Sequence, residues 1–118
     1  MKVVYIAHPI NGNVHFNLES IKKIGRIINL QEPNVIPIAP YFFSCYALDD
    51  SVPAERKRGI KNNIGLLKKG FVDEIRLYGN NISSGMMQEI QLGIDLGISI
   101  KPMTKETQIQ FNNINYKL

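Results

Sequence analysis

Short β-rich runs alternate with segments of helical period along this chain, and that alternation constrains its fold more than any other feature. Lys2–Ala7 (KVVYIA) reads as a buried strand, and His8–Val14 (HPINGNV), with its Pro, Asn and Gly, as a loop. Phe16, Leu18, Ile21, Ile24, Ile27 and Ile28 recur near a helical period over His15–Leu30, which Glu32-Pro33-Asn34 then breaks. Val35–Ala39 is a second strand, ended by Pro40. Tyr41–Pro53 reads as a long irregular stretch. Pro53 suits the first turn of a helix that Ser51 caps, running to about Lys69 and stopped by Gly70. Asp73–Tyr78 is a third strand, Ser84–Leu96 a third main helix and Ile98–Lys101 a fourth strand. From Pro102 the chain is polar and rich in Asn and Gln; it docks as a strand, exchanges with a neighbour or stays loose. Residues 1–102 are therefore read as one α/β domain and 103–118 as a polar tail.

This order predicts a parallel sheet with helices on both faces and right-handed crossovers. In such sheets a ligand binds beyond the carboxyl ends of the strands, at the point where strand order reverses. Tyr5–Asn13, Ala39–Asp50 and Gly79–Glu89 converge there. At 118 residues and 44% hydrophobic, the chain is long enough for one domain with a real core, and a sheet of this size gains from forming a homo-oligomer. The formal charge of +4 is spread over helical segments without interleaved aromatics. It leaves an attraction for small anions but gives no reason to expect nucleic-acid binding. No apolar run is long enough to span a membrane, and the N-terminal run is too short for a signal peptide. The single Cys45 excludes an internal disulfide and fits a reducing, cytoplasmic setting.

The segment with most chemistry is Ile82–Glu89 (ISSGMMQE). Ser83 or Ser84 can cap the helix, and Gly85 lets the backbone approach a ligand. The unpaired N–H groups of the first turn, which includes Met86, attract anions such as phosphate. Glu89 lies about one turn further in. A carboxylate beside an anion cradle can attack, or stabilise, a sugar carbon as it gains positive charge. The same residues also read as a plain capping box with Glu89 solvated. His8, Pro9, Asn11 and Gly12 follow the first strand at the ligand edge. His8 either contacts a phosphate or base or is structural; Asn11, Gly12 and Asn13 either line a sugar or form the turn. Pro40, Tyr41 and Phe42 follow the second strand, where Tyr41, Phe42 and Phe43 stack on a base or pack in the core. Asp50 faces the ligand or makes a turn and cap with Ser51. The two His residues and one Cys have no standard metal spacing, and no P-loop or serine-hydrolase elbow is present.

Three motifs taken together carry a resemblance. YIAHP at Tyr5–Pro9, IPIAPY at Ile36–Tyr41 and SSGMMQEI at Ser83–Ile90 resemble the nucleoside 2-deoxyribosyltransferase superfamily, closest to its small branch common in bacteria and phages. The stretch from Asp49-Asp50 through Glu55-Arg56 to Phe71-Val72-Asp73-Glu74 also resembles that branch, and the likeness covers about residues 2–102. It implies a flavodoxin-like or Rossmann-like sandwich, usually oligomeric, that binds a nucleoside or nucleotide and needs no cofactor. It also implies that Glu89 is the nucleophile that captures the deoxyribosyl carbon and that Tyr5 orients it. Tyr5 on its own reads equally as a core aromatic. The related 2′-deoxynucleoside 5′-phosphate N-hydrolases have a Ser six residues before the Glu and a Gly four before; Ser83 and Gly85 stand there, which implies a 5′-phosphate site. One position departs from the pattern. Many catalytic members carry an Asp about eight residues before the Asp that opens the third strand, and Gly65 stands there. Asn62 and Asn63 are near but neutral, which leaves Asp49, Asp50 or Glu55 as substitutes. Two classes of function follow: an enzyme acting on the N-glycosidic bond, or a non-catalytic binder of a nucleotide or an ADP-ribose-like signal.

Overall fold

The computed structural model describes residues 1–117, with side chains as far as Ile114. The strands are β1 (Lys2–Ala7), β2 (Val35–Ile38), β3 (Glu74–Leu77) and β4 (Ser99–Pro102). The helices are α1 (Val14–Gln31), α2 (Pro40–Ala47), α3 (Pro53–Lys68), α4 (Ser84–Asp95) and α5 (Lys105–Lys117). All strand pairs are parallel, in the order β2-β1-β3-β4. That is a flavodoxin/Rossmann-like sheet whose order reverses between β1 and β3, as the alternation predicts. Val4–Ala7 and Glu74–Leu77 are wholly buried, because central parallel strands are covered on both faces.

Register decides which side chains meet which helix. Tyr5 pairs with Ile75, and Ile75 with Ile100. This row faces α4, where a Cβ on Gly93 would come within 2.7 Å of Ile75 Cδ1 and 2.9 Å of Ile100 Cδ1. Glycine at this position therefore lets α4 settle close on the sheet. The next row, Ile6 and Arg76, points to the opposite face, where α1 lies. Arg76 spans Glu32 at the end of α1, at 2.8 and 2.9 Å, and donates to Glu74 at 2.6 Å. Lys2 donates to the other Glu74 oxygen at 2.9 Å. The two buried charges are thus paired. Burial pushes the Glu74 carboxyl up, but the bonds from Lys2 and Arg76 outweigh it and hold the group below its ordinary range. Arg76 likewise holds Glu32 below its ordinary range.

Two segments differ from the sequence reading. Most of Tyr41–Pro53 is not irregular: Pro40–Ala47 is helix, with Pro40 in its first turn. PYFFSCYA is too short to show a period, and it is fixed by contacts distant in sequence, above all Tyr41, whose hydroxyl donates to the Ile6 carbonyl. The tail is neither strand nor loose but helix α5, started by Thr104 and Thr107, each of whose hydroxyls accepts from the other's N–H. Leu118 of that tail lies outside the described residues. At the start of α3, Ser51 does not cap. Val52 is the N-cap, while Asp49 accepts from Ser51 and Glu55 reaches back to the Asp49 N–H at 3.1 Å. Among the described residues no helix is long and apolar enough to cross a membrane.

Replacing Arg76 by Met leaves one buried Glu74 oxygen unpaired, with Lys2 alone on the other, and frees Glu32. The variant should lose about 3 kcal/mol at pH 7 in urea unfolding. In the wild type the lowered carboxyls contribute stability above their unfolded range and lose it as pH falls through their folded values. The deficit of Arg76→Met should therefore shrink on acidification.

Candidate active site

A cavity of about 500 Å³ opens at the carboxyl ends of β1 and β3, a volume typical of small-molecule sites. The β1–α1 loop supplies His8 and Asn11, and α2 supplies Tyr41, Ser44 and Cys45. The inner face of α3 supplies Arg56, Ile60, Asn63 and Ile64, and the first turns of α4 supply Ser83–Met86 and Glu89. Asp50 and Glu55 complete one side.

Tyr5 and Glu89 form the centre. Tyr5 is fully buried on β1, and its hydroxyl donates to the Glu89 carboxylate on α4. Gly93 lies one helical turn beyond Glu89, over Ile75, the register neighbour of Tyr5. The close approach at Gly93 is therefore what brings Glu89 onto the tyrosine. Burial, and then the Glu89 charge, push the Tyr5 phenol well above its ordinary value, so it stays a donor. Burial also pushes Glu89 up, to about 7, with the Tyr5 bond only partly offsetting it. Near neutral pH the group is thus divided between acid and carboxylate, the range a proton-transfer group or a readily ionised nucleophile needs.

The start of α4 faces the cavity. Ser83 is the N-cap: its Oγ accepts from the Met86 N–H at 3.3 Å and its carbonyl from the Met87 N–H. The first-turn N–H groups at Ser84 and Gly85 have no partner within the helix. A Cβ at Gly85 would meet only Ser83 Oγ, at 4.0 Å, so packing does not demand glycine there and the space beside it is open.

Of the residues named from sequence, His8, Asn11, Tyr41, Asp50, Ser83, Ser84, Gly85, Met86 and Glu89 line this one cavity, and Tyr5 reaches it through Glu89. Pro9, Gly12, Pro40 and Phe42 do not line it, and neither do Asn13, Phe43 and Asp49. Pro9 packs under Gly79, where a Cβ would come within 2.6 Å of it. Gly12, at φ +100°, makes the turn into α1. Pro40 starts α2, and Phe42 packs on Tyr46 with ring centroids 5.3 Å apart. His8 is committed inside the protein. Its Nδ1 donates to the Pro9 carbonyl at 2.7 Å, which leaves Nε2 to accept from Ser20 Oγ at 2.9 Å. Burial lowers its pKa, so it is a neutral positioning group. Gly65 does not line the cavity, but Asn63, half-buried on the same helix, does. Its Oδ1 is shut off from water and has no hydrogen-bond partner. A buried acceptor left unpaired costs about 1–3 kcal/mol, a cost that a ligand's donor can remove. Arg56 and Asn63 were not singled out as ligand groups by sequence. The spacing Arg56, Ile60, Asn63, Leu67 on one face of α3 was the signal that could have found them. Among the described residues no cluster of His, Cys, Asp and Glu is arranged to hold a metal ion.

The chain belongs to the family described as a domain of unknown function (DUF7768), whose model matches residues 2–103. No curated protein matches the chain.

The raised Glu89 pKa has a measurable consequence for stability. Between the unfolded value near 4.5 and the folded value of about 7, the unfolded chain releases a proton that the folded chain keeps. Wild-type stability therefore falls as pH rises through that window. Glu89→Gln should be nearly neutral at pH 4 and stabilising by on the order of 2 kcal/mol at pH 8 in denaturant titrations. An unchanging difference across that range would show that Glu89 ionises as easily folded as unfolded.

Proposed function

We propose that this cavity takes a nucleoside or nucleotide and that Glu89 attacks the sugar carbon bearing the base. A Glu89 oxygen bonds to that carbon as the carbon–nitrogen bond breaks, and the base departs with a proton. Water or a second base then displaces the carboxylate, giving hydrolysis or transfer respectively. The observation that carries this reading is the Tyr5–Glu89 pair. A desolvated carboxyl is held by a permanent donor at the wall of a ligand-sized cavity, beside a helix start open to a phosphate. The motifs described above support the same assignment. Asp50 and Glu55 are the groups on the cavity wall that can supply the proton to the departing base.

A second reading is favoured by Asn63. In the middle of α3 it brings a neutral amide to the cavity, and the carboxylate on that helix, Glu55 of the first turn, is engaged with the Asp49 N–H. On this reading the protein binds a nucleotide or an ADP-ribose-like signal without turnover. For either reading we propose assembly as a homo-oligomer, supported by Phe43 and Tyr46 of α2, which are 75% and 68% exposed.

The experiment is a cleavage and exchange screen of nucleosides and 5′-nucleotides. Glu89→Gln should lower turnover by orders of magnitude while ligand binding survives, because the lost interaction belongs mainly to the transition state. Wild-type kcat/KM should rise with pH through about 7, as Glu89 ionises. The pair Ser83→Ala and Gly85→Val should weaken nucleotides more than nucleosides; equal losses argue against a phosphate there. Binding without wild-type turnover, with Glu89→Ala changing affinity alone, selects the second reading. Loss of neither on Glu89→Ala sinks both.

A further inference from the structure

The loop between β3 and α4 is gripped from behind by α5. Thr104 Oγ1 donates to the Gly79 carbonyl at 2.8 Å. Thr107, fully buried, donates to the Leu77 carbonyl at 3.2 Å. Gln110 Oε1 accepts from the Ile82 N–H at 2.7 Å. A step of three residues places Thr107 and Gln110 on one side of α5, and Thr104 stands just before its first turn. The start of α5 and its first turns therefore meet the end of β3, at Leu77, and two backbone groups of the loop that follows, at Gly79 and Ile82. None of the three side chains lines the cavity. The family match stops at residue 103, so the grip comes from a helix outside the matched domain.

The last of these bonds bears on the site. Ile82 immediately precedes Ser83, whose side chain and carbonyl hold the first N–H groups of α4. Fixing the Ile82 N–H fixes the Asn81–Ile82 peptide, one residue before the N-cap, and so narrows the directions in which Ser84 and Gly85 present their own N–H groups. Among the described residues, the hydrogen bonds that side chains make at Ile82–Met86 are those of Gln110 and of the Ser83 cap.

We infer that Gln110 is a positioning residue: it holds the Asn81–Ile82 peptide, one residue ahead of the Ser83 N-cap, so that the start of α4 is formed for an anionic ligand. Binding at the Ser83–Gly85 rim is then coupled to docking of α5, and by linkage the ligand stabilises α5 in place. The ligand half of this inference rests on the function proposed above; the structural half does not.

The test compares wild type with Gln110→Leu and Gln110→Glu, the latter keeping an acceptor at the same place. Gln110→Met preserves length and packing, and serves if the Leu variant does not fold. Amide exchange is followed at Ile82, Met86 and Met87, and affinity for 2′-deoxynucleoside 5′-monophosphates by calorimetry well below the melting temperature. Gln110→Leu should speed exchange at all three amides, leave the core amides of β1 unchanged and weaken the nucleotide about tenfold, the worth of roughly one net hydrogen bond. Gln110→Glu should restore the exchange. A faster exchange confined to Ile82, failure of Gln110→Glu to rescue it, or a lowered melting temperature with unchanged affinity overturns the inference. If wild type binds no nucleotide, the proposed function falls, and the exchange at Met86 and Met87 alone decides for or against Gln110.

Discussion

A carboxyl pressed against a tyrosine hydroxyl in a desolvated place is the constraint on which the rest of the site depends. Water would solvate Glu89 far better than Tyr5 does, and the pKa of about 7 measures that loss. The pair survives because several features over-determine it. Parallel register sets Tyr5 beside Ile75. Gly93 lets α4 descend onto Ile75 and Ile100. One turn back along α4, Glu89 then lies within reach of the Tyr5 hydroxyl at the cavity wall. Tyr41 closes the other side, its ring 6.0 Å from that of Tyr5 and its hydroxyl spent on Ile6. A mutation at any of these positions moves the carboxylate without touching it.

The opposite face of the sheet shows what a structural charge looks like in the same molecule. Glu74 and Arg76 are buried charged groups, and both are fully paired. Their environment favours the charged forms, and they tie β3 to the end of α1. Glu89 meets one neutral donor, and its environment favours the uncharged form. Asn63 meets none. Unbalanced polar groups gathered at one cavity, in a fold that balances its other buried charges, are a physical reason to place function there.

How much of this was legible follows from the range of the forces involved. The strands and α4 were legible because period and composition are local, and the Ser83 cap because capping is local too. The start and stop of each differed by a residue or two at most, as helix and strand ends do. Helix α2 was not legible. Its residues have no apolar period, and Tyr41 is anchored to a strand more than thirty positions away. Helix α5 was hidden for a related reason. Its sequence is polar, and what holds it is hydrogen bonding from Thr104, Thr107 and Gln110 to the backbone of a remote loop. At the site, Glu89 and Tyr5 were found through motif spacing. Pro9, Gly12, Pro40 and Phe42 were placed at the ligand because they sit in the right loops, yet a loop residue can serve the loop itself. Asn63 is the reverse case: position alone marked it as a neutral neighbour of Gly65, and only its unpaired oxygen marks it as more.

Two fields meet at Glu89 and pull in opposite directions. The start of α4 carries the positive end of the helix dipole, which favours a carboxylate within its first turns. Burial disfavours it, and burial prevails. An anion seated on Ser84 and Gly85 would consume the dipole's positive end and add its own negative charge, holding Glu89 protonated more firmly still. Charge growing on a sugar carbon acts the other way, since a cation beside Glu89 draws its proton off. A carboxyl poised between these influences responds strongly to the charge of whatever occupies the cavity, and a solvated surface glutamate does not. That sensitivity is the chemical property that burying Glu89 against Tyr5 creates.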